Sequence, residues 1–247
     1  MELIQVTNLA NGRYLIANMK NDKPAIIRSE LLNSFAVGAL GSSYNEKVYF
    51  DTPDFFFAEK GINIYTVTIN GSAKELVIRY DSEQVRRIEF LKNMPNYFKL
   101  PIKKDETMHK YYNEIIEAIY RVFPAGLNVN IEDYLRQCSP QIKVMKKRES
   151  FRVVNNTGLK MVMSFDICEY ANVAKRGKFS QPTLDIVCES VRNPDDFKIF
   201  LKTVIRDFPQ LIKIESNELT VARNNLKFNI MQSNKKYPTN GYFFIVY

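Results

Sequence analysis

The stretch KVYFDTPDFFFAEKGINIY, residues 47–65, interrupts a run of strand-forming residues with an acidic, proline-containing element. The first apolar run stops at Asp51, and a second one starts after Gly61. Since proline and glycine mark turns and loops, the pattern predicts two strands separated by a kinked element that carries three phenylalanines. The purpose of this interruption bears on what the chain binds.

The length and the composition of the chain predict one folded, basic domain. The 247 residues are 45% hydrophobic and 13% aromatic, which is typical of a folded protein with a sizeable core. No internal repeat or glycine-serine linker marks a boundary, so we predict a single domain over residues 1–247. The net charge of +8 favours polyanionic partners such as phosphates, nucleic acid or an anionic membrane surface, although it also fits a basic surface without a special role.

Cysteine usage and the N-terminal sequence predict a soluble, intracellular protein. Cys138, Cys168 and Cys188 share no CxxC spacing, which argues against a disulfide framework or a zinc site and favours a reducing compartment. The start MELIQVTNLANG lacks the features of a signal peptide, and no apolar run reaches the roughly 18 residues of a membrane span. We therefore expect a cytoplasmic protein without a transmembrane segment. The only histidine, His109, is expected to be a solvated residue early in a helix.

The periodicity of the chain predicts an α+β fold with many antiparallel strands. Asn11-Gly12 indicates a hairpin near the N-terminus, and residues 29–40 have helical spacing with Ser29 as the N-cap. A second helix is predicted over residues 109–123, and a third begins after the N-cap Asn193. The predicted strands are residues 46–50, 62–69, 74–80, 84–91, 139–154, 159–170, 183–191 and 241–247.

Alternation along these strands places charged residues of both signs on shared faces. Because the side chains of a strand alternate between its two faces, Lys146, Arg148 and Arg152 lie on one face of the strand over residues 139–154. The carboxylates that alternation places on charged faces of later strands are Asp166, Asp185 and Glu189. On an open sheet such a face is simply solvated, whereas in a closed barrel it could line a polar lumen for phosphates and a divalent cation. Spacing alone leaves both alternatives open.

The motif YFDTPDFFFAEKGINIY, continuing through KELVIRY, resembles the second segment of the triphosphate tunnel metalloenzyme (CYTH) superfamily. Its members carry a YFDTPD element followed by a glycine and by strands that bear arginine and lysine. The order of later elements is also similar, with a helix, the basic KKRESF strand, the acidic SFDICEY strand and the TLDIVCE strand. The resemblance covers nearly the whole chain, and its fairly specific part runs from Tyr49 to Gly61.

The resemblance implies an antiparallel eight-stranded tunnel-like β-barrel with flanking helices, whose lumen binds triphosphate or a longer polyphosphate. Members include inorganic and thiamine triphosphatases, class IV adenylyl cyclases, fungal-type RNA triphosphatases and a related polyphosphate polymerase domain. In catalytic members, luminal glutamates hold Mg²⁺ or Mn²⁺ while arginine and lysine bind the phosphates. The phenylalanines of DTPDFFF would then pack beneath a kinked connection between two barrel strands.

The sequence departs from the pattern of the superfamily at several positions. The N-terminal signature of two glutamates and a lysine at alternate positions is reduced to Glu2, which is followed by Ile4 and Val6. This chain has Tyr65 and Val67 where the superfamily has a pair of arginines. It has Val187 in place of the middle carboxylate of a late strand, and Asn217 where the superfamily often has a lysine. A single remaining carboxylate strand makes a poor two-metal site, because hard cations take several oxygen ligands.

We predict a diverged triphosphate-tunnel-like protein that binds or hydrolyses a triphosphate, a nucleotide or a polyphosphate with Mg²⁺ or Mn²⁺. If it is active, it would be a metal-dependent triphosphatase or phosphotransferase. The residues predicted to bind phosphate are Arg79, Arg87, Lys146, Arg148 and Arg152, and those predicted to bind metal are Asp166, Asp185 and Glu189. One alternative is a catalytically inactive binding or assembly module with a protein partner. The other is a basic nucleic-acid-binding protein, in which basic residues interleave with Tyr97, Phe98, Tyr111 and Tyr112.

Overall fold

The computed structural model describes residues 4–5, 12–16, 23–72, 74–80, 97–103, 106–122, 130–173, 177–191, 193–214 and 218–233. Its helices are α1 (Lys23–Asn33), α2 (Phe56–Glu59), α3 (Tyr112–Val122), α4 (Ile131–Arg136), α5 (Pro194–Asp207) and α6 (Glu218–Ser233). Its strands are β1 (Ile4–Gln5), β2 (Gly12–Ile16), β3 (Ala36–Asp51), β4 (Ile62–Ile69), β5 (Lys74–Tyr80), β6 (Tyr97–Ile102), β7 (Ser139–Val154), β8 (Lys160–Asn172), β9 (Gly177–Val191) and β10 (Leu211–Lys213). Arg87 and the strands predicted over residues 84–91 and 241–247 lie outside the described residues.

The strands form one continuous antiparallel sheet. Its order is β10-β2-β9-β8-β7-β3-β4-β5-β6, and β1 pairs with a further part of β9. The predicted α+β class with antiparallel strands is therefore confirmed. Among the described residues, β10 and β6 at the two ends of this order do not pair with each other, so the closed eight-stranded barrel remains a prediction.

Helices cover one face of the sheet with two hydrophobic clusters. In the first cluster, Ile27 of α1 and Phe197 of α5 pack against Met163 and Ile186 of the long strands. In the second, α2, α3 and α4 pack against β4 and β5, and the helical side chains include Phe57, Ile115, Ile119, Ile131 and Leu135. Lys146, Arg148 and Arg152 of β7 lie on the face away from these helices, whereas Glu149, on the other face of the strand, pairs with Arg28 of α1. No helix within the described ranges combines the length and the apolar character that a membrane span requires.

A third cluster lies on the opposite face of the sheet, where α6 packs. Leu219, Ala222 and Leu226 of this helix contact a group of buried side chains from β3, β7 and β8. That group comprises Tyr49, Ile142, Val144, Cys168 and Tyr170. Lys146 and Arg148 continue the alternation of Ile142 and Val144 along β7, so α6 covers one end of the face that carries the predicted cations.

The acidic interruption at residues 51–54 has a structural role. Asp51 is buried at the end of β3, and its Oδ1 accepts the backbone N–H groups of Thr52 at 2.8 Å and Phe57 at 3.0 Å. Its Oδ2 accepts the N–H of Ala58 at 2.9 Å. Burial raises the pKa of the Asp51 carboxyl, while these three N–H groups act in the opposite direction. Asp51 therefore satisfies the donors at the start of α2 and is not available to a ligand.

The phenylalanines of the same element pack as the resemblance implied. Phe55 has a φ of 62°, a left-handed conformation that redirects the chain between β3 and α2. Phe57 is completely buried in the second cluster, and Phe56 stacks on Tyr134 with ring centroids 3.7 Å apart. Gly61, with a φ of 77°, then lets the chain enter β4. The predicted kinked connection between two strands is confirmed.

Two predictions near the N-terminus are wrong. β1 and β2 do not form a hairpin with each other, because each pairs with its own part of β9, at Val191 and around Leu184 respectively. The helix predicted over residues 29–40 begins earlier, at Lys23, so Ser29 lies inside α1. The second half of that range belongs to β3, which pairs with β7 from Ala36 onward, so tertiary pairing overrides the local helical spacing.

The long strands and the other helices follow the prediction. β7 has the predicted bounds, and β8 and β9 contain nearly all of the strands predicted over residues 159–170 and 183–191. Asn193 caps α5, since its side chain accepts the N–H of Asp195 at 3.0 Å. His109 is exposed in the turn of 3₁₀-helix at Met108–Tyr111, directly before α3. The predictions of Asn193 as a cap and of His109 as a solvated residue are therefore confirmed.

Candidate anion-binding site

The candidate site is the charged face of the sheet, defined as the side of β7 that carries Lys146, Arg148 and Arg152. Two residues of rise separate alternate positions on a strand by roughly 6.6–6.8 Å. In the pairing of β7 with β8, Arg148 stands opposite Asp166, and directly opposite residues of an antiparallel pair share a face. In the next pairing, Ser164 of β8 stands opposite Asp185 of β9. The register therefore brings the predicted cations and carboxylates together.

Arg148 links the two predicted carboxylates at the centre of this face. Its Nε donates to Asp166 Oδ1 at 2.7 Å, and its Nη2 donates to Asp166 Oδ2 at 2.6 Å. The same Nη2 also donates to Asp185 Oδ2. The side chain of Asp166 is completely buried, while that of Arg148 is 28% exposed. Hydrogen bonding to Asp166, and the charges of both carboxylates, raise the pKa of Arg148 despite its burial, so the guanidinium remains charged.

Lys146 lies at the buried end of the charged face, where α6 begins. Its Nζ contacts Glu218 Oε1 and lies 3.5 Å from Asp166 Oδ2. Lys47 of β3 donates to Glu218 Oε2 at 2.6 Å, and the hydroxyl of Tyr49 donates to the same oxygen at 3.3 Å. Burial alone would raise the pKa of Glu218, but the two lysines outweigh it and hold that pKa below its usual range. Glu218 is therefore a buried carboxylate between two ammonium groups.

Arg152 lies at the exposed end of the same face. Its Nε and Nη2 donate to the two carboxylate oxygens of Glu189 at 2.7 and 2.9 Å, which is a bidentate pair. The exposed fraction of the side chains rises along β7 from 8% at Lys146 through 28% at Arg148 to 53% at Arg152. A ligand would therefore reach Arg152 first and Lys146 last.

The charges of the buried part of this face alternate in sign from one contact to the next. The order of contacts is Lys47, Glu218, Lys146, Asp166, Arg148 and Asp185. Each cation in the row faces at least one carboxylate, so the protein's own anions neutralise the charged face. An alternating row of this kind keeps buried charges paired, which limits the cost of removing them from water.

The remaining predicted cations lie elsewhere. Arg79 is exposed on β5, opposite Asn63 of β4 and three strands away from β7. Arg87 lies outside the described residues. Between the ion pairs of Arg148 and Arg152, the hydroxyls of Ser150 and Ser164 are 2.9 Å apart and add polar groups to the charged face. Of the five residues predicted to bind phosphate, the structure thus brings together the three on β7.

The residues predicted to bind a metal do not fit a divalent ion in this arrangement. Asp166 and Asp185 both accept from Arg148, and Glu189 accepts from Arg152. In the part of the chain that the structure describes, no group of three or more His, Cys, Asp or Glu residues is placed to hold a metal ion. Hard divalent cations take several oxygen ligands at once, and here each of the three carboxylates has at least one oxygen that accepts from a guanidinium. The metal assignment of these carboxylates stays a prediction.

Two charged residues of the site were not predicted from the sequence. Lys47 could have been found, because it is a cation in a predicted strand. Alternation places it on the same face as Tyr49, two positions later. Glu218 gives no such signal, since it reaches the site only through the packing of α6 against strands that are distant in sequence. It is 171 residues from Lys47 and 72 residues from Lys146.

Three of the four aromatic residues considered for nucleic-acid binding are engaged in packing. Phe98, Tyr111 and Tyr112 are partly buried against the second hydrophobic cluster. The hydroxyl of Tyr112 donates to the backbone carbonyl of Glu132 at 2.6 Å. Their rings therefore support α3 and the neighbouring strands, and binding of nucleic acid through them stays a prediction.

The three cysteines are free and buried. Burial, together with the nearby charge of Asp51, raises the pKa of Cys138 to about 12. Burial also raises the pKa of Cys168 and of Cys188. Thiols of this kind stay protonated at neutral pH, so these side chains act as small hydrophobic residues.

No protein-family model and no curated protein matches the chain. Among solved structures, the chain is similar to an adenylyl cyclase candidate from Hippeastrum that has a dominant triphosphatase activity, with 12% sequence identity and a TM-score of 0.53 over 87% of this chain and 95% of that chain. It is also similar to an adenylate cyclase candidate from Bacillus halodurans, with 10% identity and a TM-score of 0.47 over 85% of this chain and 94% of that chain. The chain therefore has the fold of the Hippeastrum protein, in agreement with the resemblance of its sequence. Membership of the superfamily stays a prediction.

The lowered pKa of Glu218 predicts how stability depends on pH. The unfolded chain takes up a proton near the ordinary glutamate value of 4.5, whereas the folded chain keeps Glu218 ionised to lower pH. Its contribution to stability is therefore complete above about pH 4.5 and is lost as the pH falls towards the folded pKa. We expect the free energy of unfolding to fall less steeply between neutral pH and about pH 3.5 in Glu218→Gln than in the wild type. Urea unfolding at a series of pH values measures this, and parallel profiles would contradict it.

Proposed function

We propose that this protein binds a triphosphate, a nucleotide or a polyphosphate along the charged face of β7. The observation that supports the proposal is the placement of Lys146, Arg148 and Arg152 on one face of one strand, with exposure that rises towards Arg152. Arginine presents a planar set of donors that matches the oxygens of a phosphate in the same way as those of a carboxylate. A linear anion with several phosphate groups would follow this row of cations.

Binding would proceed by exchange of anions. Arg152 is paired with Glu189 at the exposed end, and Arg148 is paired with Asp185, whose side chain is 15% exposed. These two carboxylates are more exposed than Asp166, so they are the ones that a phosphate group can replace at the lower cost of reorganisation. Asp166 would keep its two hydrogen bonds to Arg148 and hold the guanidinium in place. Arg79 and Arg87 stay predicted contributors outside this row.

The same arrangement favours binding over metal-dependent hydrolysis. Each carboxylate assigned to a metal accepts hydrogen bonds from an arginine, so a metal ion would have to compete with a fixed guanidinium for the same oxygens. The proposal is accordingly a binding protein with the fold of a triphosphate tunnel, within a single cytoplasmic domain. Hydrolysis with Mg²⁺ or Mn²⁺ is the alternative.

Substitution of Arg152 tests the proposed site. We expect Arg152→Ala to weaken the binding of inorganic triphosphate by about tenfold or more, because charge-assisted hydrogen bonds contribute roughly 1.5–3 kcal/mol. Arg152 is exposed, so its removal leaves the fold intact and leaves only a half-buried Glu189 without this partner. Lys147→Ala is the matched control, since Lys147 is exposed on the opposite face of the same strand.

Isothermal titration of inorganic triphosphate, ATP and polyphosphate without metal measures the affinities of the three proteins. The proposal predicts that the wild type and Lys147→Ala bind alike. Equal losses in Arg152→Ala and Lys147→Ala would show a general effect of net charge and would contradict it. The absence of binding to any of the three anions by folded wild-type protein would contradict it as well.

An assay of phosphate release tests the alternative. We expect Mg²⁺ and Mn²⁺ to leave the release of phosphate from inorganic triphosphate, ATP and polyphosphate at the rate without protein, because the carboxylates of β8 and β9 face arginines. The double variant Asp185→Ala/Glu189→Ala is assayed beside the wild type. Metal-dependent release that disappears in the double variant would place a metal site on β9 and would overturn this expectation.

A further inference from the structure

Glu218 is held by two lysines from neighbouring strands. Lys47 of β3 donates to its Oε2 at 2.6 Å, while Lys146 of β7 contacts its Oε1. The tyrosine hydroxyl of Tyr49 adds a third donor at 3.3 Å. Three donors thus converge on one carboxylate whose side chain is 7% exposed. The anion that fills this place belongs to the protein itself and comes from the first residue of α6.

The donors around Glu218 form a built site for an anion. Two ammonium groups and a hydroxyl can serve the oxygens of a terminal phosphate in the same way as the two oxygens of a carboxylate. The site also continues the row of cations of the charged face, because Lys146 lies two residues from Arg148. Arg152 and Lys146 are separated by roughly 20 Å of strand, so a longer polyphosphate that extends from Arg152 would reach Lys146 and Lys47 with its innermost group, and inorganic triphosphate bound at Arg148 would reach them as well.

We infer that Lys47 and Lys146 form the innermost phosphate subsite and that Glu218 occupies this subsite until a ligand displaces it. The inference rests on the proposed function, since it requires an anion that binds along β7. Glu218 then acts as a built-in competitor that sets the affinity for the ligand. The contact thereby couples binding at the charged face to the position of the first turn of α6.

α6 has separate anchors that keep it in place when Glu218 moves. Leu219, Ala222 and Leu226 are buried in the third hydrophobic cluster. In the second turn of α6, the guanidinium of Arg223 contacts Glu59 and lies 4.7 Å from the ring centroid of Phe55. These contacts do not involve the lysines of the subsite. Displacement of Glu218 is therefore a local movement of the first turn of α6 and not a loss of the helix.

Removal of the charge of Glu218 tests the inference. Glu218→Gln keeps the size of the side chain and loses the negative charge, so Lys47 and Lys146 become available to the ligand. We expect this variant to bind inorganic triphosphate about tenfold more tightly than the wild type, since close charge pairs that are desolvated couple strongly. Glu149→Gln is the matched control, because it makes the same change of charge on the opposite face of β7, where Glu149 pairs with Arg28.

The comparison of the two variants by isothermal titration is decisive. A gain of affinity in Glu218→Gln that clearly exceeds the gain in Glu149→Gln supports the inference. Equal gains would reflect net charge alone and would overturn it, as would unchanged or weaker binding by a folded Glu218→Gln protein. If the wild type and both variants bind no triphosphate, the proposed function itself fails, and this outcome is distinct from a failure of the inference alone.

Hydrogen exchange of the wild-type protein provides a test that needs no variant. Saturating inorganic triphosphate should speed the exchange of backbone amides in residues 218–222, because their anchor at Glu218 is released. The amides of α5, which packs on the other face of the sheet, should be unchanged and serve as the internal control. Unchanged or slower exchange in residues 218–222, in protein shown to bind triphosphate, would overturn the inference.

Discussion

Asp166→Asn is expected to lower the free energy of unfolding by about 3–5 kcal/mol, the range for removing one partner from a buried ion pair. The side chain of Asp166 is completely buried and accepts two hydrogen bonds from Arg148. It also lies 3.5 Å from the Nζ of Lys146. Loss of this single charge therefore leaves two cations short of a partner inside the protein.

Urea unfolding of wild type and variant at neutral pH measures the change. Glu46→Gln is the matched control, because Glu46 pairs with Lys143 at 2.8 Å and both side chains are 35% exposed. A partly exposed pair of this kind contributes about 0–1 kcal/mol. If Asp166→Asn cost no more than Glu46→Gln, the charged face would not be the buried network that the distances describe.

Phe57→Ala is expected to lower the free energy of unfolding by about 3–5 kcal/mol, the range for truncating a buried phenylalanine. Phe57 is completely buried, and its ring meets that of Phe56 edge to face with centroids 5.3 Å apart. The truncation leaves a cavity between α2 and the strands β4 and β5. The effect arises from packing, and it is independent of any ligand.

Tyr120→Ala on α3 is the control for Phe57→Ala, since Tyr120 is 55% exposed. Exposed substitutions of this kind usually change stability by less than about 0.5 kcal/mol. Chemical denaturation of both variants gives the comparison. Equal losses would contradict the view that DTPDFFF exists to seat a phenylalanine in the core beneath a kinked connection.

The long strands could be predicted because their sequences lack the apolar spacing of a helix. β7 has the predicted bounds, residues 139–154, although four successive charged residues at 146–149 interrupt the alternation of apolar and polar residues. The region around Ser29 was misread, because its apolar spacing fits a helix while the pairing of β3 with β7 determines its structure from Ala36. The hairpin at Asn11-Gly12 failed for a related reason, as β9 is long enough to pair with β1 and β2 in turn.

The candidate site could be predicted only in part. Alternation placed Lys146, Arg148 and Arg152 on one face, and the register of the sheet then brought Asp166 and Asp185 to Arg148. Alternation assigns residues to faces, but it does not say which side chains will pair, so the mutual neutralisation of cations and carboxylates was not foreseen. Glu218 was missed because a contact between a helix and strands that are far apart in sequence leaves no local pattern.

The role of the acidic stretch shows how a family motif and a binding site can be separate. Asp51 is part of the most specific segment of the resemblance, yet its carboxylate serves the backbone of α2. The cations proposed to bind phosphate lie instead on β7, outside this segment. The motif at Tyr49–Gly61 therefore indicates the fold, whereas the proposal of an anionic ligand depends on the ion pairs of the charged face.

A crystal structure of the protein grown with inorganic triphosphate tests the central claim most directly. The account predicts phosphate groups bound to the guanidinium groups of Arg152 and Arg148, with Glu189 and Asp185 moved away from them and Asp166 retained. Triphosphate bound to the opposite face, at Lys143 or Lys147, with every ion pair of the charged face intact, would contradict it.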